Sequence, residues 1–154
     1  MPHKPLAASE DFYSRKPGQL YSDAIRELDW SVGKVLEKLA SAGIDRDTLV
    51  IFTSDNGPWY GGSTGGLRGM KADAWEGGHR MPFIVRWPGR VKAGTVSDQT
   101  ICFTDLLATF ADLCGAKLPV GAGPDSFSFL PVLEGRQPKG QPIRGPIVMQ
   151  AGST

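Results

Sequence analysis

The sequence predicts an α/β layered fold. Three observations carry that expectation: an amphipathic helix near the N-terminus, an apolar strand directly after it, and a second strand and helix beyond a long glycine-rich loop. From about Gln19 to Ala42, the residues Tyr21, Ile25, Leu28, Val32, Val35 and Leu39 recur at intervals of three or four, which gathers them on one helical face. Gly43 suits the position that stops a helix. The stretch from His3 to Gly18 has prolines and no sustained period, so it reads as loop. Thr48-Leu-Val-Ile-Phe-Thr-Ser54 is apolar and β-branched without polar alternation, as in a strand buried on both faces of a mainly parallel sheet. Helix followed by such a strand is half of a βαβ unit.

Between Asn56 and Lys71 lie Gly57, Gly61, Gly62, Gly65, Gly66 and Gly69, and an unstructured run of that length is commonly functional. A second strand is expected at Pro82-Phe-Ile-Val-Arg-Trp87, ended by Pro88-Gly89. Thr104 can cap a second helix whose apolar face is Leu106, Leu107, Phe110, Leu113 and Cys114, with Gly115 as its stop. Gly121 to Arg144 is rich in turn residues, and Pro146 to Gln150 reads as a last strand. No internal repeat is present. Two or three strands are few for a layered sheet, so the architecture is expected to be incomplete.

Composition bounds the function less tightly than pattern does. With 40% hydrophobic and 21% charged residues in 154, the chain resembles a globular domain able to bury a core. Its net charge is +1 without a block of like charge, so neither a nucleic-acid partner nor a polybasic membrane surface is expected. There is no apolar run of membrane-spanning length and no leader after Met1. Cys102 and Cys114 both fall on the expected second helix; twelve residues along a helix span about 18 Å, too far for a disulfide. Both are expected to be buried apolar side chains.

Asp55-Asn56-Gly57 follows the first strand at the edge where open α/β sheets bind ligands. A carboxylate beside an amide oxygen offers hard donors for Ca²⁺ or Mg²⁺, although the same tripeptide also makes plain turns. Lys71 leaves the glycine-rich loop in Leu67-Arg-Gly-Met-Lys71 and could bring an ammonium to a tetrahedral anion; a solvated surface lysine is the plainer reading.

Taken in order, Thr53-Ser-Asp-Asn-Gly57, the glycine-rich insertion, Gly69-Met-Lys71, Trp75-Glu-Gly-Gly-His-Arg-Met-Pro82 and Trp87-Pro-Gly89 resemble the sulfatase family. The resemblance continues back through Leu28-Asp29 and Val32-Gly33, and on through Asp105-Leu-Leu107 and Phe129-Leu-Pro-Val-Leu133. It implies part of an alkaline-phosphatase-like α/β/α sandwich, with residues 1–154 forming an incomplete catalytic domain. It also implies hydrolysis of sulfuric esters at a calcium ion and a formylglycine made from Cys or Ser in a Cys/Ser-x-Pro/Ala-x-Arg motif. By this resemblance Asp55 and Asn56 would be metal ligands, Lys71 would contact the sulfate, and His3, in Pro2-His-Lys-Pro5, would stand near the leaving oxygen. The substrate would be a sulfated small molecule or polysaccharide, and the compartment periplasmic or extracellular.

His79 has no role in the family pattern, and Glu76 with Arg80 is expected to brace the loop. Arg68 carries no assignment. Neither Cys102 nor Cys114 is followed by the residues that formylglycine formation needs, so the nucleophile is expected outside this stretch. Two other readings stand beside this one: a phosphonate monoester or phosphodiester hydrolase of the same superfamily, and a truncated chain without catalysis.

Overall fold

A computed structural model describes residues 5–59 and 61–150. The chain divides into two compact units, the first ending at Val85 and joined by Met149 and Gln150, the second running Arg86–Val148.

The first unit is built on α1, Leu20–Ser41. Its expected apolar face is only half covered, and Val35 remains 55% exposed. The fully buried positions are instead Asp23 and Ala24. Asp23 is tolerated there because its Oδ2 accepts both the amide (3.0 Å) and the hydroxyl (2.8 Å) of Ser14, tying the N-terminal loop to the helix. These bonds, with Arg26 and Lys16 nearby, hold the Asp23 carboxyl below its ordinary range against the opposing effect of burial. A pKa lowered by folding means the contribution is present above the unfolded value and is lost as pH falls through the folded one. The helix ends as its sequence requires: Gly43 takes φ +70°, its amide reaches Ala40, and the Ile44 amide reaches Leu39, a Schellman closure.

After a 3-10 turn at Asp45–Asp47 comes β1, Val50–Thr53, which pairs with β2, Phe83–Arg86, in a two-stranded sheet. All four residues of β1 are half-buried, not closed on both faces as its apolar run implies. Among the described elements α1 packs on the 3-10 turn. A four-residue helix, α2, spans Glu76–His79.

The second unit holds α3, Asp105–Leu113, packed on the short α4, Leu130–Leu133. Here the expected apolar face is corrected. Leu107 and Phe110 are 48% and 43% exposed and Cys114 is exposed, whereas Asp105 and Thr109 are sealed. The reason is a polar core. Asp105 accepts the amides of Cys102 (2.8 Å) and Phe127 (3.0 Å) and pairs with Arg144 at 2.8 Å, while Thr109 accepts the Phe129 amide at 3.1 Å and donates to the Asp105 carbonyl. Burial alone lowers the Arg144 pKa, but its bonds and ion pair with Asp105 outweigh that and raise it. The Asp105 bond to Cys102 closes a turn ahead of the helix. Cys102 therefore precedes α3, only half-buried, and the two cysteines do not share a helix.

Thr104 precedes α3 but does not cap it, because its hydroxyl donates to the Asp125 carbonyl at 3.1 Å. Residues 146–150 form no strand, and Val148 is 93% exposed. Trp87, Phe129 and Leu130 supply the apolar part of this core. Arg90 lies over the Trp87 ring and, with Arg136, pairs with Glu134; the Arg136 bond is the main cause holding the Glu134 carboxyl below its usual range. No helix among the described residues is long and apolar enough to cross a membrane.

Candidate active site

The candidate site is assembled within the first unit by backbone contacts between three glycine-bearing segments. The Gly57 amide donates to the Gly78 carbonyl at 2.7 Å, the Gly77 amide to the Arg68 carbonyl at 2.8 Å, and the Lys71 amide to the Pro58 carbonyl at 2.8 Å. The turn after β1, the end of the glycine-rich loop and α2 are thus laced together. They approach so closely that side chains have no room: a β-carbon on Gly57 would stand 1.9 Å from the Gly77 carbonyl oxygen, and one on Gly77 2.3 Å from that of Gly69. Glycine is required at these places by space.

Asp55 and Asn56 emerge from this lacework just past β1. Asp55 is exposed, and among the described residues its carboxylate meets only the Ser54 hydroxyl, at 3.4 Å. Asn56 is half-buried, and its side chain has no hydrogen bond to a described residue. The two oxygens are thereby available and chemically suited to a hard cation. They fall well short of the six to eight oxygens calcium takes. No group of three or more His, Cys, Asp or Glu able to hold a metal occurs among the described residues, so these two fit part of a calcium shell.

Lys71 is half-buried, and its ammonium has neither a hydrogen bond nor an ion pair to any described residue. A lysine held by its own main chain against Pro58, two residues beyond Asn56, with an unengaged charge, is equipped to receive an anion. A hollow of about 270 Å³ opens beside Asn56, lined by Gly57, Ser63, Thr64, Arg80 and Met81 among others. Lys71 and Asp55 do not line it. His3 lies outside the described residues.

Glu76 and Arg80 brace α2 as expected, through a 2.8 Å ion pair one helical turn apart. His79 is half-buried on the same turn. Two features escaped sequence reasoning. Ala72, directly after Lys71, has φ +76°, and Asp73 bonds the Met70 amide at 2.9 Å; no residue type at 72 signals a left-handed backbone. Arg68 stacks on the Trp75 ring at 3.5 Å, and the seven-residue spacing across a loop gave no cue to that.

The bare Cys/Ser-x-Pro/Ala-x-Arg pattern also occurs once in the chain, at Ser22-Asp-Ala-Ile-Arg26. It lies in the first turns of α1, where Asp23 is spent on Ser14 and Arg26 stands 3.7 Å from Asp23. None of the hydrogen bonds that assemble the site reaches α1.

A family model described as Sulfatase matches residues 1–116. Human steryl-sulfatase is 40% identical over 144 residues, covering 87% of this chain and 25% of its own. Mouse N-acetylgalactosamine-6-sulfatase is 40% identical over 158 aligned positions, covering 99% of this chain and 30% of its own. Among solved structures, a sulfatase from Pseudoalteromonas sp. superposes with a TM-score of 0.79 at 31% identity, over 92% of this chain and 29% of that one. The chain spans less than a third of the length of each of these proteins.

Proposed function

The chain belongs to the sulfatase family, and from that premise we propose that it forms the metal- and sulfate-binding part of a longer catalytic domain that hydrolyses sulfuric esters. The observation that carries the reading is the Lys71 ammonium, without a hydrogen bond or ion pair to a described residue, on a loop whose main chain is bonded to Pro58, two residues beyond Asn56. Lys71 binds the sulfuryl oxygens and offsets the negative charge that gathers there as the ester bond breaks, an interaction strongest where water is excluded. Asp55 and Asn56 would hold a Ca²⁺ together with further oxygen ligands, and the ion would add positive charge to help stabilise the sulfuryl group. On the same family reading, His3 would supply the proton that the departing alcohol or phenol takes up.

The reacting nucleophile, a formylglycine, belongs to a segment other than this one, in keeping with the placement of Ser22 on α1 and the sequence around both cysteines. The steroid and amino-sugar sulfatases among the relatives make sulfated sterols and sulfated glycans the substrate classes to try first. The reading is tested by assaying the full-length enzyme, with calcium present, against an aryl sulfate, an aryl phosphonate monoester and a phosphodiester. Faster turnover of the sulfate is expected. Preference for either phosphorus ester would overturn the assignment.

A further inference from the structure

Lys71 does not sit on a simple loop. Met70 to Asp73 is a tight turn closed from both sides: the Asp73 amide donates to the Met70 carbonyl at 3.0 Å, and the Asp73 carboxylate takes the Met70 amide at 2.9 Å. Lys71 and Ala72 are its two central residues. Ala72 has φ +76° at the third place of the turn, where that geometry normally selects glycine or asparagine. A left-handed alanine persists only where its surroundings hold it.

The turn also rests directly on the lacework beneath Asn56. A β-carbon on Gly78 would meet the Asp73 carbonyl oxygen at 2.2 Å and the Met70 carbonyl oxygen at 2.6 Å, and Gly78 is the residue that accepts the Gly57 amide. Gly69 is packed against the Asp73 side chain and Trp75, with their atoms 3.1 Å and 2.7 Å from where its β-carbon would be. The direction in which Lys71 leaves the backbone is therefore set by this turn, and the turn's register against Asn56 is set by Gly78.

We propose that Asp73 is a positioning residue for Lys71: its carboxylate locks the Met70 to Asp73 turn and keeps Ala72 left-handed, so that the ammonium is aimed before substrate arrives. The inference rests on the role proposed for Lys71 and adds the device that orients it. Asp73 is exposed and touches no anion itself. Its effect on turnover runs wholly through Lys71.

The test is a double-mutant cycle in the full-length enzyme, with thermal stability measured in parallel. Asp73→Ala is expected to lower kcat by roughly 10- to 100-fold, the scale of a misplaced catalytic group. Asp73→Asn keeps an oxygen for the Met70 amide and should stay within about threefold of the parent. In a Lys71→Ala background, adding Asp73→Ala should cost nothing further in kcat. Ala72→Gly, which favours the left-handed backbone without help, should restore most of the activity lost by Asp73→Ala, and it keeps the cycle usable if Asp73→Ala alone folds poorly.

Additive losses in the cycle, or no recovery from Ala72→Gly, overturn the positioning role. So does an Asp73→Ala enzyme as active as the parent while Lys71→Ala is inactive. Full activity of Lys71→Ala itself would instead remove the functional reading on which the inference stands.

Discussion

Gly57 shows how single residues carry this site. It was legible in the sequence as a turn glycine after Asp55-Asn56, but the reason it must be glycine is the Gly77 carbonyl standing 1.9 Å from its missing β-carbon, a contact from twenty residues further on. Pattern reading sees the Glu-Gly-Gly segment and the Asp-Asn-Gly segment separately. Only the fold shows that each glycine makes room for the other. Gly57→Ala is accordingly expected to force the turn away from α2 and to reduce hydrolysis by the full-length enzyme by roughly 100-fold, as displacements of about 1 Å at reacting centres do. Steady-state kinetics with an aryl sulfate checks this; near-normal kcat would show that the segments can part without harm. Asp55, Asn56 and Lys71 are candidates by residue type and order. The left-handed Ala72 beside Lys71 was not, because backbone strain leaves no mark in the identity of an alanine.

Elements followed the sequence where local rules set them and departed where distant contacts did. The bounds of α1, β1, β2 and α3 fall within two residues of their apolar runs and glycine stops. The buried face of α3 was read wrongly because apolar spacing was taken to mean burial. Asp105 and Thr109 are the sealed positions, since the loops at Phe127 and Phe129 bring amides that need acceptors and Arg144 brings a charge that needs a partner. Arg144 retains a buried Nε with no partner among the described residues, and Asp105 is the carboxylate that pairs with it. Asp105→Ala would leave that guanidinium buried and unpaired, and the second unit should lose about 3–5 kcal/mol of stability. Urea titration followed by the Trp87 fluorescence reads the loss directly; a midpoint unchanged from the parent would mean that Arg144 escapes to solvent at little cost. The expected last strand at 146–150 failed for a related reason: β propensity without a neighbouring strand to pair with makes no ladder.

At the scale of the whole molecule, the site and the sheet are incomplete in matching ways. β1 has one neighbouring strand among the described elements, and on the proposed reading Asp55 with Asn56 would provide two of the oxygens a calcium ion needs. The chain covers 25% and 30% of the two curated relatives described above. The family was legible because the motifs around Asp55 and Lys71 are dense and ordered; the sheet was less so, because short apolar runs do not say which strands pair. The central claim is that these residues form the metal- and sulfate-binding half of a sulfatase site. The most direct measurement is kcat/KM for an aryl sulfate in the full-length enzyme carrying Lys71→Ala or Asp55→Ala. The account predicts that either substitution lowers kcat/KM by about 100-fold or more, to a small but measurable residue, while the enzyme stays folded, and full activity in either variant would contradict it.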